Sequence, residues 1–261
     1  MSIRRPAVAG TFYPSDPRRL RSEIDGFLGA AQPVEPTFAT KILIVPHAGY
    51  VYSGPIAATG YRLLPAMKDL RRVVMLGPSH FVRCSGVQLP GVDYLETPLG
   101  DVSVDAAGRA EALTHALVGE SAGVHRREHS LEVQLPFLQV VTPEVPVLPM
   151  LTGSVDPAAA ADVVEPLLDD LSLLLVSSDL SHYHDAATAR RLDRETVAAI
   201  ERLDPDALEW ESACGRVGIQ TAIHLARRRG YGVEVLDLRN SADTAGTPDR
   251  VVGYCAIALG S

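Results

Sequence analysis

The chain has 261 residues, 46% of them hydrophobic, and carries a net charge of −8 from 24 basic and 32 acidic residues. That length suits one large α/β domain or two small ones. The acidic balance argues against binding nucleic acid or an anionic membrane through bulk charge. Three widely spaced cysteines form no disulfide framework, and no apolar stretch nears the ~20 residues of a transmembrane helix. With no signal-type apolar core after Met1, a soluble cytoplasmic protein is expected.

In chain order, Ser15 or Asp16 caps a helix with Pro17 in its first turn, and Leu20, Ile24, Phe27 and Leu28 follow at helical spacing. A strand runs to Pro46, a helix opens at Ser53-Gly54-Pro55 and continues to about Leu64, and Val73–Leu76 is the next strand. Val87–Leu89 is a short strand, and Asp105 to about Leu117 is Ala-rich and helical. The stretch from Glu128 to Val141 places Leu131, Leu135 and Leu138 on one face, with Pro136 expected to kink or divide it. Val145–Leu151 reads as a strand whose Pro146 and Pro149 suggest a sheet edge or irregular pairing.

Further on, a helix from Pro157 to about Glu165 meets Pro166, Leu173–Val176 is a central strand, and helices span Ala186–Leu203 and Val217–Arg229. Val233–Leu238 and Val251–Leu259 close the chain as adjacent strands, so part of the sheet is antiparallel. Strands alternate with helices, which predicts a three-layer α/β/α sandwich with a central mixed sheet. No repeat or long linker divides the chain, so residues 1–261 are expected to form a single domain.

Three histidines each follow a short apolar run ended by turn residues: His47 after Pro46, His80 after Gly77-Pro78-Ser79, and His182 after Ser177-Ser178-Asp179-Leu180-Ser181. Ligands in open α/β sheets bind outside the carboxyl ends of strands, so these three point to one site and to a metal. Asp179 has two open roles, orienting a ligating histidine or capping the turn. Cys214 lies at the start of the Val217 helix beside Arg216, a setting that favours the thiolate. A thiolate there binds a metal or attacks an electrophile; the alternative is a small buried residue. His129 follows Glu128 at a helix start, where it lines the pocket, moves a proton or belongs to the cap. His184 is a candidate supporting group, and His115, His125 and His224 receive no role. Two imidazoles and a thiolate with an open position suit iron or copper, or zinc, and disfavour magnesium and calcium.

Nearly the whole chain resembles one family. The segments are Arg5-Pro6-Ala7-Val8-Ala9-Gly10-Thr11-Phe12-Tyr13-Pro14, Pro46-His47-Ala48-Gly49-Tyr50, Gly77-Pro78-Ser79-His80, Glu128-His129-Ser130-Leu131-Glu132, Ser177-Ser178-Asp179-Leu180-Ser181-His182-Tyr183, Ala213-Cys214-Gly215-Arg216 and Asn240-Ser241-Ala242-Asp243. In this order they resemble the Memo-like family, also called AmmeMemoRadiSam system protein B. The resemblance implies a fold similar to class III extradiol dioxygenases. It also implies a metal site on His47, His80 and Cys214, with Asp179 and His182 in the same pocket. Functional association with a radical-SAM protein and an AMMECR-like protein is implied as well. Ring-cleaving dioxygenases use two histidines and a carboxylate on Fe(II), and Cys214 in place of the carboxylate keeps their reaction from being carried over.

Three functions follow as expectations. The first is a redox enzyme with Fe2+, or copper, on His47, His80 and Cys214, where His182 serves as acid/base, Asp179 orients it and His129 lines the pocket. The second is a non-catalytic module that holds a phosphorylated or otherwise anionic small molecule or peptide with the histidines and Arg216. The third is a zinc-dependent hydrolase in which His182 or Asp179 activates water.

Overall fold

The computed structural model describes residues 1–32, 34 and 36–261. In the first half these form β1 (Ile3–Arg4), α1 (Pro17–Ala30), β2 (Thr40–Val45), α2 (Tyr50–Tyr61), β3 (Arg72–Pro78), β4 (Val87–Leu89), β5 (Tyr94–Thr97), β6 (Gly100–Ser103) and α3 (Ala106–Ala112). Then come β7 (Val118–Glu120), α4 (Ala122–His125), α5 (Leu135–Val141), β8 (Val147–Thr152), α6 (Pro157–Val164), β9 (Ser172–Ser177) and β10 (His182–His184). The chain ends with α7 (Ala186–Glu201), α8 (Arg216–Arg229), β11 (Gly232–Asn240) and β12 (Val251–Gly260).

The main sheet has the order β10-β12-β2-β9-β3-β8-β4-β7, with β11 also paired to β12. Its centre, β2-β9-β3-β8, is parallel, while β12 pairs antiparallel with both β2 and β11. Alternation along the strands separates two cores. Leu43, Val45, Val73, Met75, Leu173 and Leu175 pack with Leu20, Ile24, Ile56 and Phe137 on one face. Ile42, Ile44, Val74, Leu76, Leu174 and Val176 pack with Ala161, Ile219 and Ile223 on the other. Both faces are covered, so the central strands are apolar throughout. This is the three-layer α/β/α sandwich with a mixed sheet that the element order predicts.

Local differences have local causes. Helix α2 begins at Tyr50 rather than Ser53, because the Gly49 carbonyl already accepts the Tyr52 and Ser53 amides. Helix α3 stops at Ala112, where His115 draws the chain into a turn toward β7 through its carbonyl and its Nδ1. Pro136 lies in the first turn of α5, so it divides the predicted helix: a loop and a short 3-10 turn, Glu132–Gln134, precede it. Strand β8 lies inside the sheet, not at its edge. Pro149 fits there because the flank away from β3 is irregular: Val104 bridges to Val147, and β4 pairs only with Leu151 and Thr152. The small sheet β1-β5-β6 and the short strands β7 and β10 carry too few alternating residues to be predicted.

The N-terminal segment is anchored through one buried carboxylate. Glu132 accepts from Arg4 Nη1 (2.7 Å), the amides of Ala7 (2.7 Å) and Val8 (2.9 Å), and Tyr13 Oη (2.7 Å). Arg4 also donates to the carbonyls of His125 (2.8 Å) and Glu128 (2.6 Å), binding the 125–132 segment to the N-terminus. Breaking a buried pair leaves an uncompensated charge. Arg4→Ala is expected to lower stability by about 3 kcal/mol in urea unfolding; a loss within error of zero would mean that Glu132 does not depend on the pair.

Candidate metal centre

Parallel pairing sets the strand ends level. Val45 of β2 pairs with Ser177 of β9, and Leu76 of β3 pairs with Val176 of β9. His47, His80 and Asp179 each lie two residues beyond the last residue of β2, β3 and β9. Two further segments close on this edge. Ser130 Oγ donates to the Pro78 carbonyl (2.9 Å), which seats the His129 loop against the end of β3. Gly77 permits the approach, since a Cβ there would come within 2.7 Å of Leu131 Cδ2. The Cys214 amide donates to the Asp179 carbonyl (3.2 Å) and the Gly215 amide to Ser178 Oγ (2.9 Å). Gly215 is needed for this, because a Cβ would lie 2.6 Å from Ser178 Cβ.

One ring nitrogen each from His47, His80 and His129 lies within 4.8 Å of the other two. Ring centroids are 5.2 Å apart for His47 and His80, 5.5 Å for His47 and His129, and 4.8 Å for His80 and His129. His47 Nδ1 is bonded to Ser177 Oγ (3.0 Å) and His80 Nδ1 to Glu128 Oε1 (2.9 Å). In each ring Nδ1 is thereby engaged and Nε2 is the nitrogen left to face a ligand, the arrangement of many metal-binding imidazoles. Cys214 Sγ sits 3.2 Å from His47 Nε2. His129 Nδ1 is buried with no hydrogen-bond partner; Glu128 Oε1 is 3.4 Å away but misaligned. A buried orphaned nitrogen among convergent imidazoles, with a thiol against one of them, fits a transition metal or zinc.

Sequence reading placed His129 as a pocket-lining residue, and the structure puts it in the three-histidine group. His182 lies outside that group, half-buried on β10, where it pairs with Val252. Its charge still reaches His47 and Asp179. Asp179 Oδ1 accepts the His47 amide (2.7 Å), so its carboxylate braces the backbone of a candidate ligand. His184 is half-buried on the same short strand, and His125 is occupied by the Gln88 carbonyl (2.7 Å). The supporting groups Glu128, Ser177 and Gln134 carry no motif of their own in the sequence. Only the adjacency of Glu128 to His129 signalled one of them.

Burial sets the charge states. It lowers His47 from 6.5 to about 3, with a further contribution from His80, and lowers His129 from 6.5 to about 4, assisted by His47. Both are therefore neutral near pH 7, the form that binds metal. Burial works to raise Glu128, but hydrogen bonding and charge from His80 and the Ser130 and His80 amides outweigh it and hold the carboxyl at about 2. Burial raises Asp179 against the bond from His47. The favoured thiolate expected for Cys214 is corrected: burial, then Asp179, push it up to about 12. Arg216 does not counter this, because its guanidinium lies over Trp210 (5.4 Å) and Nη1 contacts the Leu208 carbonyl (3.4 Å).

The family model for Memo-like proteins matches residues 4–258. The chain belongs to the Memo-like family. A MEMO1 family protein of Aquifex aeolicus is 37% identical, with 97% of this chain and 98% of that protein covered. One from Thermotoga maritima is 37% identical (98% and 99% covered), and one from Saccharolobus solfataricus 34% (99% of each). Among the described residues of this Memo-like chain, no helix is long and apolar enough to cross a membrane.

The buried histidines give a sign to the pH dependence. His47, His125 and His129 have folded values of about 3, about 4 and about 4, below the roughly 6.5 of an unfolded chain. Between these values the unfolded state binds protons that the folded state does not. The melting temperature of metal-free protein is expected to be level above pH 6.5 and to fall as pH drops toward 4; a flat profile from pH 7 to 5 would refute neutral burial.

Proposed function

We propose that this Memo-like protein is a metal-dependent redox enzyme, an O2-linked oxidoreductase using iron, with copper as the alternative ion. The observation that carries the reading is the convergence of His47, His80 and His129 within 4.8 Å, with the Cys214 thiol against His47. Imidazole and sulfur donors suit iron, copper and zinc. Bound there, iron or copper supplies electron transfer and a coordination position for O2 or a small organic molecule. His47 and His80 hold the ion, and His129 and Cys214 are the further candidate ligands. Asp179 and His182 are the proton-handling groups within electrostatic reach.

A second reading, a binding module for phosphorylated or other anionic ligands, draws on three cation–π pairs. Arg127 lies 5.3 Å from the Phe81 ring, Arg250 4.4 Å from Tyr183 and Arg216 5.4 Å from Trp210. The aromatic partners are exposed, and Phe81 and Tyr183 directly follow His80 and His182. Association with radical-SAM and AMMECR-like proteins belongs to the same proposal, and co-purification tests it.

Elemental analysis of anaerobically purified protein separates these readings. About one iron or copper per chain is expected, sharply reduced in His47→Ala and in Cys214→Ser. Stoichiometric zinc, with activity indifferent to O2, would move the assignment to a zinc hydrolase. Metal-free wild type that still binds inorganic phosphate would favour the binding module.

A further inference from the structure

Behind His47 runs a line of buried polar side chains that the proposed chemistry leaves unused. Tyr61 Oη donates to Gln134 Oε1 (2.7 Å). Gln134 Nε2 donates to the Pro46 carbonyl (2.9 Å) and to Ser177 Oγ (2.7 Å). Ser177 Oγ donates to the Ser130 carbonyl (2.6 Å) and contacts His47 Nδ1 (3.0 Å). Tyr61, Gln134, Ser177 and Ser130 are all buried.

Counting protons decides the direction of every bond. The Pro46 carbonyl can only accept, so it fixes which end of the Gln134 amide faces it. The amide oxygen then faces Tyr61, which must donate. The Ser130 carbonyl likewise can only accept, and it takes the single Ser177 proton. Both lone pairs of Ser177 are left for donors, one from Gln134 and one from His47 Nδ1. A lone pair on Nδ1 would face a lone pair on Ser177.

We propose that Ser177, Gln134 and Tyr61 are positioning residues that hold His47 in the Nδ1–H tautomer, leaving the Nε2 lone pair free on the Cys214 side. Tyr61 is itself fixed by stacking on Phe137 (ring centroids 4.7 Å apart, 3° between planes). Ser177 serves two ligand-bearing segments at once, the His47 ring and, through the Ser130 carbonyl, the loop of His129. The consequence for metal affinity rests on the metal-centre reading above; the tautomer does not.

The test is a two-bond 1H–15N correlation spectrum of the histidine rings in metal-free full-length protein, with His47 assigned by its loss in His47→Gln. The expected result is protonated Nδ1 and unprotonated Nε2 on His47. Ser177→Ala should let the Nε2–H form appear and weaken Co2+ binding about 10–100-fold, and Ser177→Thr, which keeps the hydroxyl, should restore both. If Ser177→Ala does not fold, Tyr61→Phe reads the relay from its outer end and should raise the Nε2–H fraction. Wild-type His47 found as Nε2–H overturns the proposal, as does an unchanged spectrum in the folded variants. An Nδ1–H wild type that takes up no Co2+ keeps the relay and removes the metal reading.

Discussion

Parallel pairing of β2, β9 and β3 in one register carries the candidate site, because it places His47, Asp179 and His80 equally far beyond three adjacent strand ends. A slip of one residue would turn every side chain of a strand to the opposite face. The two apolar cores forbid it, since Leu43 and Val45 serve one and Ile42 and Ile44 the other. The site thus inherits its precision from hydrophobic packing several residues away. Where the ladder ends, its amides would be left without partners, and site side chains take them. Asp179 accepts from His47 and Glu128 from His80, while Ser178, just past the end of β9, accepts the Gly215 amide ahead of α8. The same atoms that finish the strands therefore fix the backbone of the candidate ligands.

Crowding three imidazoles in a largely buried space has an electrostatic result. A proton added to His47 or His129 is desolvated and also repelled by a neighbouring ring. Both stay neutral, and Glu128 is the carboxylate firmly held ionised beside them. A cation among the rings would meet the uncharged imidazoles of His47 and His129, with the Glu128 carboxylate directly behind His80. It would also give the orphaned His129 Nδ1, or the ring bearing it, a use for its burial.

How much of this could be read from the chain differs by element. His47 and His80 were legible because each ends an apolar run, and strand ends are where open sheets place ligands. His129 was legible only as a pocket residue. Its loop has no periodicity, and what brings it in is long-range, from Ser130 Oγ to the Pro78 carbonyl and from Arg4 to Glu128 and Glu132. Cys214 was placed correctly at a helix start, yet its protonation was misread. Sequence adjacency to Arg216 says nothing about where a long side chain goes, and Trp210, six residues earlier, holds it. Gln134 and Ser177 carried no signal, since a buried hydroxyl and amide look like any other until their partners are known.

The two histidines that end strands are backed by different groups, and this makes them unequal donors. His80 Nδ1 is hydrogen-bonded to a carboxylate, whereas His47 Nδ1 faces a serine hydroxyl whose own proton is spent on a carbonyl. The Cys214 sulfur lies against the ring backed by the hydroxyl. Ring-cleaving dioxygenases put a carboxylate directly on the metal; here Glu128 stands behind His80 and Asp179 behind the His47 amide. One source of negative charge for an ion at this site is loss of the Cys214 proton. Burial and Asp179 hold that proton on sulfur, so its release depends on a cation arriving. Charge compensation would then come with metal entry instead of preceding it, a different electrostatic starting point from a site built on a preformed carboxylate ligand.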